Sequence, residues 1–166
     1  MNRLKRFLLL SAFILFGLSA HAQEGLNIEK IFNDYGKREG SVFIGLAKDV
    51  LGDNTKIDRY KSLIISSDTA ILRATREAIM LDFGKGRHEN GIVMIESKKD
   101  GKIESASYSL GKDENSPSYE YILFMVKAKK MTLIYLRGNF PPKELDLELG
   151  KLKNLFIKAN NKQIKL

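Results

Sequence analysis

Apolar side chains fall at both parities along two neighbouring runs, Tyr119 to Val126 and Met131 to Arg137. In the first run Ile122, Phe124 and Val126 alternate with Leu123 and Met125. In the second, Leu133 and Tyr135 alternate with Ile134 and Leu136. A strand with one wet face alternates apolar with polar, so this pattern predicts strands covered on both faces. Both runs are rich in β-branched and aromatic residues, and the lysine-rich Lys127 to Lys130 separates them, which predicts a β-hairpin at the centre of a sheet.

The rest of the chain is read outward from that hairpin. Asn27 is placed to cap a short helix with Ile28, Ile31, Phe32 and Tyr35 on one side, ended by Gly36. Ser41 to Leu46 reads as a strand, Lys48 to Leu51 as one helical turn, and Tyr60 to Ser66 as a second strand after the Gly52-Asp53-Asn54 break. Asp68 suits the N-cap of a helix reaching Asp82, with Leu72, Thr75, Ile79 and Phe83 inward and Arg73, Arg76 and Glu77 outward. Gly91 to Ser97 and Lys102 to Leu110 read as strands joined by Asp100-Gly101, a pair suited to the positive φ angles of a tight hairpin. The second of these sets Ala106, Tyr108 and Leu110 on one face against Ser105, Ser107 and Ser109 on the other, which predicts a position nearer an edge. Pro141-Pro142 opens a final helix with Leu145, Leu149, Leu152 and Phe156 as its buried stripe. Its acids lie early and its lysines late, as the helix dipole favours. The Leu145, Leu147, Leu149 alternation also fits a strand, but the prolines and the charge order select helix. The expectation is a single α+β domain in which an antiparallel sheet of five to six strands packs against helices.

The first 22 residues stand apart. Asn2 to Arg6 is basic, Phe7 to Leu18 is an unbroken apolar run, and Ala20-His21-Ala22 places small residues at the cleavage-determining positions. This predicts a signal peptide, residues 1–22, cleaved before Gln23, and a mature domain 23–166 that is exported to the periplasm or beyond. The other reading, a retained membrane anchor, has too short an apolar run, since a span needs about 20 residues. No transmembrane span is expected after cleavage. Removing Arg3, Lys5 and Arg6 lowers the formal charge of +8 to +5. Most basic residues alternate with acids and lack interleaved aromatics, so no nucleic-acid partner is expected. With no cysteine in the chain, the fold rests on its core rather than on disulfides.

The residues bound the chemistry further. His88 is the only histidine of the mature chain, too few His or Cys for an ordinary zinc site. Asp53, Asn54 and Asp58 lack the spacing of a calcium loop, so no metal and no cofactor is expected. There is no nucleophile elbow and no carboxylate pair that stands out. Gly84 to Gly91 holds Lys85, Gly86, Arg87 and His88, where two fixed cations and backbone N–H groups are able to surround an anion. The plainer reading of that loop is a Gly84 helix cap and a connection to the next strand.

The order of these features, with Glu24 to Phe32, Tyr60 to Ser66, Tyr108-Ser109-Leu110, Tyr121 to Phe124 and Met131 to Gly138 before a leucine-rich helix, resembles a family of small secreted proteins of unknown function from Bacteroidota-type bacteria. The resemblance implies an exported α+β domain and brings no catalytic residue with it.

Three functions follow as expectations. The first is a non-enzymatic envelope protein that binds a protein partner or a second copy of itself. The second is a periplasmic enzyme built on a carboxylate or His88, and the third a binder of acidic envelope glycans or lipids through its basic surface. For the first, the candidate surface is one sheet face carrying Tyr119, Tyr121, Leu123 and Met125, with Met131, Leu133 and Tyr135 as neighbours. The two longer helices are expected on the opposite face. The short N-terminal helix and the loops then either seal this one, on a strongly curled sheet, or leave an apolar patch open.

Overall fold

The structure, a computed structural model, describes residues 26–83, 92–112 and 117–153. In chain order these form α1 (Asn27–Tyr35), β1 (Val42–Ala47), the single turn α2 (Lys48–Leu51), β2 (Ile57–Ser66), α3 (Thr69–Phe83) and β3 (Ile92–Lys99). Then come β4 (Lys102–Lys112), β5 (Tyr119–Lys127), β6 (Lys130–Gly138) and a 3-10 turn (Pro142–Glu144) that runs into α4, helical over 145–153. The strands form one six-stranded antiparallel sheet in the order β1-β2-β6-β5-β4-β3. The fold is the expected α+β domain, and the β5–β6 hairpin lies at its centre.

The central hairpin turns on two residues rather than four. Lys127 pairs with Lys130, and Ala128 and Lys129 take φ of 50° and 60°. Two consecutive positive φ angles define the turn whose twist matches that of the strands, even though neither residue is glycine. The β3–β4 hairpin turns the same way on Asp100 and Gly101, as their sequence predicts.

One face of the sheet packs beneath α1 and α3. Leu63, Ile65, Tyr108, Ile122, Phe124, Met131, Leu133 and Tyr135 from the strands meet Ile28, Ile31 and Phe32 of α1 and Ile71, Ala78 and Ile79 of α3. This corrects the expected layering, because the short N-terminal helix shares its face with α3 instead of covering the other. The cause is Asp82, buried at the end of α3. Its carboxylate accepts bonds from the backbone N–H of Asn27 (2.8 Å) and Ile28 (2.9 Å) and from the Asn27 side-chain amide (2.7 Å). Asn27 is therefore not the cap of α1. It is the first helical residue, and the free N–H groups of that first turn are satisfied from another helix. Asp68 does cap α3 as expected, accepting from Ile71 N at 2.7 Å.

The second face carries a smaller core of Leu51, Ile57, Tyr60, Tyr121, Leu136, Phe140, Leu145 and Leu152 under α4. Among the described residues no helix is long and apolar enough to cross a membrane.

Candidate functional site

The position of α4 on the second face is set by its two flanks. On one flank Glu148, fully buried, accepts from Thr55 Oγ1 (2.9 Å), Lys56 N (2.9 Å) and Lys151 Nζ (2.6 Å). Beside it Lys56 Nζ donates to Glu144 at 2.7 Å, a contact that raises the Lys56 pKa. Burial pushes the Glu148 carboxyl up, but the Lys151 ammonium, the Lys56 N–H and the Thr55 hydroxyl outweigh it and hold the group below its usual value. Beneath, Tyr121 stacks on Phe140 with ring centroids 5.0 Å apart and donates its hydroxyl proton to the Phe140 carbonyl. Gly138 makes this packing possible, because a Cβ there meets the Lys56 carbonyl and the Phe140 ring at 2.5 Å. All these contacts hold α4 over the β2 side of the sheet.

The other flank of α4 borders an open groove of about 370 Å³, lined by Pro142, Leu145, Asp146 and Leu149 along the helix. Its floor is Leu123 and Met125 of β5, Thr132 and Ile134 of β6, Ser105 and Ser107 of β4, and Ile95 at the sheet edge. Ile95 is 69% exposed and Met125 46%, high values for large apolar side chains in a concave site. The volume lies within the usual range for ligand pockets, about 300 to 1,000 Å³. Among the described residues Asp146 is the one ionisable residue of this lining. The lining is mostly apolar with a few hydroxyl side chains, a composition common in ligand-binding clefts. No cluster able to hold a metal occurs among the described residues.

Of the residues singled out by sequence, Tyr119, Tyr121, Leu123 and Met125 do share this face. Leu123 and Met125 line the groove, and Tyr121 lies buried beneath Phe140. Met131, Leu133 and Tyr135 do not belong with them. They point to the opposite face and are buried in the core under α1 and α3. The hairpin pairs Tyr121 with Leu136, Leu123 with Ile134 and Met125 with Thr132, and directly paired residues share a face. The true neighbours are therefore the even-numbered residues of β6. Lys85, Gly86, Arg87 and His88 lie outside the described residues.

Sequence reasoning also missed the serine side of β4. Ser107 and Ser109 are buried, and β4 lies next to the edge strand β3, near the edge as its pattern predicts. With Ser105 they form a strip of small side chains beside Leu123, a trough rather than a wet face. Their alternation with Ala106 and Tyr108 was visible, but only the register places them beside the groove.

A six-stranded antiparallel sheet with helices on both faces, and a groove of apolar and hydroxyl side chains, defines this as a small α+β domain with an open groove on one face. The chain belongs to a family of unknown function, DUF6108, whose model matches residues 15–149. No curated protein matches it at a significant level.

Proposed function

We propose that this is an exported, non-enzymatic binding module of a bacterial envelope that holds an amphipathic helix of a partner protein in the groove beside α4. The observation that carries this reading is the uneven cover of one sheet among the described residues: α1 and α3 lie on the first face, and α4 with the single turn α2 on the second. Among the described residues no further helix covers the groove. Large apolar side chains at helical spacing fit over the Ser105 and Ser107 strip, while Ile95, Leu123, Met125 and Leu149 supply the apolar contact. Asp146 at the rim favours a cation on the polar side of the incoming helix. Export rests on the basic, apolar and small-residue succession of residues 1–22, and the resemblance to secreted Bacteroidota-type proteins supports the same compartment.

Photo-crosslinking in the native host tests the reading, with the reactive side chain at Ile95 in the groove and, as a control, at Val50, an exposed apolar site on α2. The expected result is an adduct from position 95 alone, mapping to an amphipathic helical segment and abolished by Leu149→Lys. Equal adducts from both positions, or none from position 95, overturn it. The mature N-terminus found by mass spectrometry is expected at Gln23, and recovery of full-length chain from membranes overturns the export half.

A further inference from the structure

The sheet ends in two unlike edges. β3 carries Glu96, Lys98 and Lys99, and its pairing with β4 is shifted between Val93 and Ile95 and again between Ser97 and Lys98. Charges and bulges are the ordinary devices that keep an edge from pairing with another chain. β1 has none of them. It reads Val-Phe-Ile-Gly-Leu-Ala, with no charge and no proline, and its register with β2 is unbroken from Val42 opposite Ile64 to Ala47 opposite Arg59. Val42 is 52% exposed and Phe43 45%, so apolar surface flanks this edge on both sides of the sheet.

We propose that β1 is a self-association edge, at which two copies of the chain pair β1 with β1 antiparallel about a twofold axis and continue one sheet through both. The strand complements itself in three ways. A twofold antiparallel pair brings residues of like parity together, so Val42, Ile44 and Leu46 meet the same apolar set from the other copy. On the other face, centring the pair on Ile44 or Gly45 sets Phe43 against Gly45 or Ala47, a large side chain opposite a small one. The flanks also match. Lys37, Arg38 and Glu39 precede β1, and Lys48, Asp49 and Asp53 follow it. Antiparallel alignment thus sets a net positive flank beside a net negative one at both ends of the interface.

The test is sedimentation equilibrium of the mature chain with Val42→Lys and Ile95→Lys variants. Both positions are more than half exposed, and neither holds up the core. Phe43 is left intact because it packs edge-on against Phe32, with centroids 6.1 Å apart. The expected result is a concentration-dependent dimer whose dissociation constant rises about tenfold or more in Val42→Lys and stays unchanged in Ile95→Lys. Hydrogen exchange should show β1 amides better protected at high than at low concentration of the wild type. A wild type that stays monomeric at millimolar concentration overturns the proposal, as does a dimer indifferent to Val42→Lys. A dimer weakened only by Ile95→Lys also overturns it and places self-association in the groove instead. The groove's helix partner is tested separately by the crosslink at position 95.

Discussion

On the first face of the sheet α1 and α3 lie side by side over Leu63, Phe124 and Leu133; on the second, α4 lies over Tyr121 and Leu136 with a groove at its flank. The strand residues beneath are less apolar on the second face, where Ser105, Ser107 and Thr132 floor the groove, but composition alone does not set where the helices lie. The difference lies in two buried carboxylates. Asp82 holds the start of α1 against the end of α3, drawing the two helices together into a full layer. Glu148 ties α4 to Thr55 and Lys56 near the start of β2, drawing a lone helix to one side. The same kind of contact closes one face and leaves the other open, and what differs is where its partner sits.

The contrast breaks most visibly when a charge is placed on each face. Leu133→Lys forces an ammonium into a fully buried site and should cost about 4 kcal/mol or more, enough to unfold a marginal domain. Met125→Lys, at the half-exposed groove, should cost about 1 kcal/mol or less. Urea denaturation of the two variants measures both. Similar losses would mean that the second face is as closed as the first.

Removing the tether of the closed face comes next. Asp82→Ala leaves two N–H groups of α1 without their acceptor and should cost about 2 to 4 kcal/mol, with hydrogen exchange of α1 rising well above that of α3. Equal loosening of both helices would show that Asp82 does not act on α1 in particular.

Glu148→Gln should cost about 1 to 3 kcal/mol at neutral pH and let α4 shift on the sheet. Its folded-state pKa is depressed, so its contribution is present above the unfolded carboxylate value of about 4.3 and is lost as pH falls through the lower folded value. The stability gap between wild type and variant should therefore close on acidification. Glu96, held low by Lys98 with help from Tyr108, titrates in the same direction, but it is common to both proteins and cancels in the difference. A gap that persists unchanged at about pH 2 would show that the lost stability is packing rather than charge.

The smallest expected effect is a gain. Thr75 of α3 is fully buried, and its hydroxyl has no hydrogen-bond partner among the described residues. Thr75→Val keeps the shape and removes the unpaired group, which should raise stability by about 1 kcal/mol. A loss of that size would point to a partner for the hydroxyl.

What the sequence made legible is what periodicity encodes. The element order, the doubly apolar hairpin, the Asp100-Gly101 turn and the Asp68 cap all follow from local spacing, and each is present. The groove was legible only in part, through Leu123 and Met125. Which β6 residues join them follows from the pairing itself: across a turn of two residues or of four, odd positions of β5 face even positions of β6, so Thr132 and Ile134, not Met131 and Leu133, lie beside them. The partner of Asp82 was not legible at all, because a bond between residues so far apart leaves no local pattern. The same holds for Glu148, whose acceptor role depends on a loop at Thr55 and Lys56.

The tether at Asp82 also orders events in time. α1 has only nine residues, and an isolated helix of that length is marginal in water. Its first N–H groups have only water as acceptor until the far end of α3 has been made. As the chain emerges N-terminus first from a ribosome, α1 is the earliest of the described helices to appear and cannot be the earliest to last. Until Asp82 arrives, Ile28, Ile31 and Phe32 remain available to whatever escorts the nascent chain.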